Sequence, residues 1–305
     1  MVFTAPLKDC AAWIGAMGLI ETPVLGCTVE ELLRLRENED RVLARDISRV
    51  VMKDPMLTLR LLRFLQEHRK ASATTDITTV EHALMMLGVS PFFHHFQQLP
   101  VVESVLVAHP QALQGLMRVV DRAHFAARYA ADWAGVRHDL ESDEVVVAAL
   151  LHDMAEMLLW CFAPDLALRI QQMTDAQPTL RSSAAQRMVL GFGVIELQLG
   201  LIAQWKLPLL LQSLMDDTHG KHPRAVNVLL AVDLARHSAK GWSDPALPDD
   251  YAAIANFLHL SEEDVLQRIR RCSQQVQDEQ ARRQPQATPG PAAAAEPTDP
   301  DAPGG

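Results

Sequence analysis

At 305 residues, with 49% of them apolar, the chain has the composition of an ordinary globular protein and can bury one large core or two small ones. Its 28 basic residues against 38 acidic ones leave a net charge of -10, which argues against general binding to a nucleic-acid backbone, because such binding needs a basic field. Cys10, Cys27, Cys161 and Cys272 form no CxxC pair, so neither a zinc knuckle nor a disulfide framework is signalled, and a reduced cytoplasmic setting is expected.

Apolar residues recur at three- and four-residue spacing through most of the chain, which predicts an all-α fold. The N-terminal segment, 1–21, carries one lysine among its apolar residues, and its helical reading is short and interrupted by glycines, so it makes a poor signal peptide. No stretch approaches the roughly 20 continuous apolar residues of a membrane span, and no membrane contact is expected. The run ELLRLRENEDR reads as a solvated helix face with i,i+4 charge pairs. RDISRVVMKDPMLTLRLLRFLQEH predicts two helices, the first capped by Asp46 and the second by Asp54 with Pro55 at its first position. ASATTDITTVEHALMMLG then supplies a polar connection and a short helix that stops at Gly88. In SPFFHHFQQLP, His94 and His95 are expected to split between core and surface.

A second helical group begins near residue 111, which divides the main domain, 22–240, into halves at 22–110 and 111–240. Its helices are QALQGLMRVVDRAHFAARYAADWAG, SDEVVVAALLHDMAEMLLWCF, one after Pro164, VIELQLGLIAQWKL and RAVNVLLAVDLARHSA. A C-terminal helical extension, 241–279, holds SEEDVLQRIRRCSQQVQ with Ser261 as its cap. The tail, 280–305, is rich in Pro, Ala and Gly. It has too little apolar surface to offset its ordering entropy, so disorder is expected there.

Several polar residues fall on apolar stripes. His124 aligns with Met117, Val120, Ala127 and Ala131. His152 aligns with Val145, Ala148 and Leu159, and Asp153 with Val146, Ala149, Met157 and Trp160. Asp233 aligns with Val226, Leu229 and Leu230. An isolated buried carboxylate costs several kcal/mol, so these groups are expected to meet one another or an ion. As a metal site, His124, His152, Asp153 and Asp233 offer a suitable shell for manganese, iron, magnesium or zinc and could activate a water. As a structural device, the same residues would pin helix to helix by hydrogen bonds. Periodicity alone puts the structural reading first.

The order H…HD…D resembles the HD superfamily of metal-dependent phosphohydrolases. The surrounding sequence is more specifically similar to the HDOD family, the HD-related output domain of bacterial signalling proteins. ISRVVMKDPMLTLRLLRF matches its "DP.L...LLR" helix, ITTVEHALMMLG its "i.si..Ai..LG" segment, AALLHDMAEMLL its "aGLLHDiG.l.l" and LIAQWKLP its "La..WglP". The match runs over roughly 22–240, and the four marks stand in the family's order. The chain departs from the family in several places. Leu65 and Gln66 stand near a usual "NS" pair, Val194 stands where many relatives carry histidine, and Thr218-His219 stand where a "HH" pair is common. After the HD pair, Ala155 and Glu156 replace the "G-K" of the catalytic branch, and a glutamate there would repel a phosphate.

The resemblance implies an HD-like helical bundle in two halves and a non-catalytic regulatory module of bacterial signal transduction, acting through signalling proteins or a small ligand in a degenerate pocket. Glu156, Glu196 and His219 are its candidate ligand-binding residues. The alternative is a metal-dependent phosphohydrolase acting on a nucleotide or cyclic dinucleotide through His124, His152, Asp153 and Asp233. No receiver, GGDEF, EAL or kinase domain has room on the chain, so input is expected from a separate partner or from the ligand. His219 and His222, beside Asp216 and Asp217, fall in a loop marked by Gly220 and Pro223, where solvated polar residues are expected. Trp205 is expected to pack between helices with one partner for its indole. The chain has neither a Gly-rich phosphate loop nor a G-x-S-x-G elbow.

Overall fold

The computed structural model describes residues 2–68, 78–138, 140, 142–177, 179–215 and 222–283. Among these residues the regular structure is helical, and β-type pairing is limited to a bridge between Val24 and Val101. The first half contains α1 (Cys10–Leu19), α2 (Gly26–Arg36), α3 (Ala44–Val51), α4 (Pro55–Glu67), α5 (Val80–Leu87), α6 (Val89–His95) and α7 (Val102–Val105). The rest comprises α8 (Pro110–Val136), α9 (Ser142–Leu151), α10 (Met154–Phe162), α11 (Pro164–Ala176), α12 (Ser182–Leu190), α13 (Val194–Gln204), α14 (Leu209–Leu214), α15 (Pro223–His237), α16 (Leu247–Leu258) and α17 (Glu262–Arg283).

Local chemistry sets several of these boundaries. Asp54 caps α4 by accepting the N–H groups of Met56 and Leu57, and its other oxygen takes the Leu25 N–H at 2.8 Å, tying the start of α2 to α4. Burial pushes this carboxyl above its ordinary value, although the hydrogen bonds oppose the shift. Asp46 does not cap α3. The N-cap is Leu43, and Asp46, three residues on, reaches back to the Leu43 N–H at 3.1 Å. Gly88 ends α5 with φ 86°, a backbone region that side chains disfavour. Ser261 accepts the Asp264 N–H at 3.2 Å and so opens α17, which continues to Arg283. Residues 284–305 lie outside the described residues.

The glycines of the first helix do not interrupt it: α1 runs through both, Gly15 with nothing within 4 Å of an added Cβ and Gly18 against the Gln204 side chain of α13. α1 packs along α13, and a Cβ at Gly200 would stand 2.1 Å from Ile14 Cδ1. At one end of the same seam the Trp205 indole donates to the Gly18 carbonyl at 3.1 Å, the single partner expected for it. On α6, Phe92 and Phe93 enter the core while His94 and His95 are both exposed, so the histidines do not divide between core and surface.

α8 is the axis of the second half, about 40 Å long at the helical rise. It packs against α9, α10, α15 and α17. Buried Asn227 on α15 donates to the Ala130 carbonyl of α8 at 3.3 Å, and Tyr129 of α8 pairs its hydroxyl with Ser273 of α17 at 2.8 Å. The stretch Ser142–Phe162 has the length and apolarity of a membrane span but is mostly buried inside this fold. It is also not one helix. The chain turns at His152-Asp153, between α9 and α10, and this break positions the site.

Candidate functional site

At this break Asp153 meets Arg122 of α8, with His152 beside it. His152 is 6% exposed, and its Nδ1 lies 3.1 Å from Asp153 Oδ1. Asp153 Oδ2 accepts two hydrogen bonds from Arg122 of α8, from Nε at 3.2 Å and from Nη2 at 2.6 Å. The same Nη2 donates to Glu156 Oε2 at 2.7 Å, one turn into α10. A second cation, Arg236 of α15, lies 3.5 Å from Asp153 Oδ1.

This environment sets the charges. Burial works against the Asp153 carboxylate, but the Arg122 guanidinium, the hydrogen bond from His152 and the Arg236 charge outweigh it and hold Asp153 well below its ordinary value. Arg122 is likewise drawn up by Glu156 and Asp153 against the cost of its own burial, so it is a permanent cation. Glu156, which alone would repel a phosphate, is paired with this arginine.

The expected cluster of four does not assemble. His124 lies on α8 but reaches the other way, its Nε2 2.8 Å from the Lys53 carbonyl between α3 and α4. Asp233 does not face inward. The buried face of α15 is made by Ala225, Asn227, Val228, Ala231, Val232, Leu234 and Ala235, whereas the Asp233 side chain is 47% exposed and pairs with Arg236 at 3.6 Å. Among the described residues no three His, Cys, Asp or Glu side chains are grouped to hold a metal ion. The donors as arranged therefore do not fit the manganese, iron, magnesium or zinc shell expected from the motif: the Arg122 guanidinium takes Asp153 Oδ2, and His152 and Arg236 face Oδ1.

The other candidates separate. Glu156 lines a cavity beside the His152-Asp153 turn. Glu196 accepts the Gly193 N–H at 3.1 Å, closing the start of α13, and its half-exposed carboxylate lies 3.6 Å from Arg187. His219, with Asp216, Asp217 and Thr218, lies outside the described residues. His222 is exposed and accepts the Arg224 N–H at the start of α15. No disulfide joins Cys10, Cys27, Cys161 and Cys272, and burial pushes the Cys161 and Cys272 thiols upward.

Sequence reasoning missed Arg122. The signal was present: Arg118 and Arg122 stand four apart on α8, followed at helical spacing by Phe125 and Tyr129. All four line a cavity of about 640 Å³ that opens beside the His152-Asp153 turn. Its other walls come from α10 (Glu156, Trp160), α11 (Ile170, Asp175), α12, α13 (Val194, Gln198) and the segment after α15 (Lys240, Trp242). Close packing supports this shape, because a Cβ at Gly115 would stand 2.5 Å from the Trp160 ring.

A family model described as the HDOD domain matches residues 22–220. Among solved structures, the chain is similar to the MmoQ response regulator from Methylococcus capsulatus str. Bath, at 18% identity and TM-score 0.61 over 83% of this chain and 99% of that one. It is also similar to a virulence factor from Campylobacter jejuni subsp. jejuni, at 16% identity and TM-score 0.64 over 88% of this chain and 97% of that one. An HDOD domain protein from Geobacter sulfurreducens matches at 16% identity and TM-score 0.48, over 88% of this chain and 95% of that one. At such identities the likeness is one of fold. No curated protein matches the chain.

Proposed function

The chain belongs to the HDOD domain family, and from that premise we propose that it is a non-catalytic regulatory module of bacterial signal transduction. It works without a resident metal, through contacts with signalling proteins and through a small ligand held in the cavity beside the HD turn. The observation that carries this reading is the seat of Arg122 on Asp153, at 2.6 Å. A guanidinium neutralises a carboxylate but has no open coordination position and does not lower the pKa of a bound water, which favours a role that does not use HD-type hydrolysis. The Methylococcus neighbour is a protein named as a response regulator, which agrees with a signalling role.

The competing reading, a metal-dependent phosphohydrolase acting on a nucleotide or cyclic dinucleotide, draws on the H…HD…D order alone. It would require Arg122 to leave Asp153, His124 to leave the Lys53 carbonyl and Asp233 to turn inward. Incubation of the purified chain with bis(p-nitrophenyl) phosphate and Mn²⁺ separates the two. No turnover above buffer is expected, and turnover that disappears in Asp153→Ala would overturn the regulatory reading in favour of the enzyme.

A further inference from the structure

We infer that the cavity beside the HD turn takes a nucleoside monophosphate, a planar ring carrying one phosphate group, and holds it unchanged. This rests on the reading of that cavity as a ligand pocket without a metal. At about 640 Å³ it lies inside the range of roughly 300–1,000 Å³ usual for small-ligand sites, which suits a mononucleotide.

The sign of the ligand follows from hydrogen-bond accounting rather than from net charge. The wall's acidic groups are largely occupied. Both oxygens of Asp153 are engaged, one by Arg122 and the other by His152 and Arg236. Both oxygens of Asp175 are engaged as well, by Lys240 at 2.7 Å and by Gln171 at 3.3 Å. Glu156 holds Arg122, and Asp121 accepts from Gln280 at 2.7 Å.

The donors are not used up. Among the described residues, Arg122 places no hydrogen bond from Nη1, Arg118 makes one bond, to Gln171, and Arg236 holds its two carboxylates only at 3.5 and 3.6 Å. Gln198 is 2% exposed, and its Oε1 accepts the Ala155 N–H, while no acceptor among the described residues meets its Nε2. A wall with occupied acceptors and spare donors calls for an acceptor-rich ligand. Three guanidiniums and an amide present more N–H groups than the two oxygens of a carboxylate take up, and a phosphate supplies three.

The ring has its own wall. Phe125, Leu159, Trp160 and Ile170 line the cavity, and Trp242 lines it while remaining 51% exposed. Aromatic faces of this kind stack on any base.

The test is calorimetric titration of the full chain with AMP, GMP, CMP and UMP, their nucleosides, and inorganic phosphate. At least one nucleotide is expected to bind 1:1 and at least about tenfold more tightly than its nucleoside or phosphate. Trp242→Ala should weaken that binding about fivefold or more while leaving the urea unfolding midpoint in place, and Gln198→Leu should weaken it as much while also lowering the midpoint, because it orphans the Ala155 N–H. If no nucleotide exceeds phosphate, or if both variants bind as the parent does, the inference is overturned and the regulatory reading stands without it. Chromatography of the recovered ligand keeps the two apart: intact nucleotide supports both, whereas conversion to nucleoside supports the binding site and overturns the claim that the ligand is held unchanged, together with the non-catalytic reading.

Discussion

Arg122 Nη2 lies 2.6 Å from Asp153 Oδ2 and 2.7 Å from Glu156 Oε2, so one guanidinium joins the middle of α8 to the turn before α10 and to the first turn of α10 itself. Side-chain exposures of 16% for Arg122 and 13% for Asp153 keep this contact largely out of water, where a charge is costly to leave alone.

Removing the arginine should therefore be expensive. Arg122→Ala is expected to lower unfolding stability by about 3–5 kcal/mol, the usual cost of orphaning one member of a buried pair. Arg122→Lys should recover part of the loss, since a point charge cannot reproduce the forked geometry. The double variant Arg122→Met/Asp153→Leu should recover most of it. Urea denaturation of the three variants reads the series, and a single variant as stable as the parent would show that the pair does not hold the turn.

The same pair predicts a pH dependence with a definite sign. Asp153 is held below its ordinary value of 3.8, so on acidification the unfolded chain takes up this proton before the folded one does. The stability it contributes is complete above that value and is lost as the pH falls through it toward the depressed folded value. Asp153→Asn should therefore show a shallower decline in stability than the parent between roughly pH 4 and pH 2. Equal slopes in that window would contradict the shift.

Two glycines of α8 should respond in opposite directions to the same substitution. Nothing lies within 4 Å of a Cβ at Gly135, so Gly135→Ala should stabilise the helix by about 0.5–1 kcal/mol. At Gly115 the added carbon would meet three atoms of the Trp160 ring at 2.5, 2.6 and 2.7 Å. Gly115→Ala should therefore lose about 1–3 kcal/mol by overpacking and also reshape the cavity wall. Thermal unfolding of the pair checks this, and stabilisation by both would mean that the indole moves aside freely.

Much of the fold was legible because periodicity and punctuation agreed. Asp54-Pro55, Gly88 and Ser261 mark helix ends that the structure reproduces, and the long helix through His124 is continuous. Short helices such as α6, α7 and α14 were not singled out, because they give periodicity too few turns to register. The break at His152-Asp153 was hidden for a different reason. Its neighbours on both sides are apolar, so the run reads as one helix, while in the structure the break is where Asp153 pairs with α8 and α15.

The site was legible in kind but not in detail. His152 and Asp153 do carry a polar centre inside an apolar stretch, but Asp233 and His124 do not join it from the stripes they share with apolar neighbours. Asp233 lies at the edge of the stripe it shares with Leu229 and Leu230, close enough to solvent to pair with Arg236 three residues on. His124 does meet a partner across a helix interface, but that partner is a backbone carbonyl, which sequence cannot mark. Arg122 was overlooked because an arginine on a helix is ordinarily solvated, and its burial depends on two acids brought from α10 by the turn.

The central claim is that an arginine, not a metal, serves as the counter-charge of Asp153. Elemental analysis tests it most directly, using protein purified without chelator, saturated with Mn²⁺, Fe²⁺, Mg²⁺ or Zn²⁺ in turn and then dialysed, for the parent and for Asp153→Ala. The account predicts well under one equivalent of each metal in both proteins. One equivalent retained by the parent and lost in Asp153→Ala would contradict it.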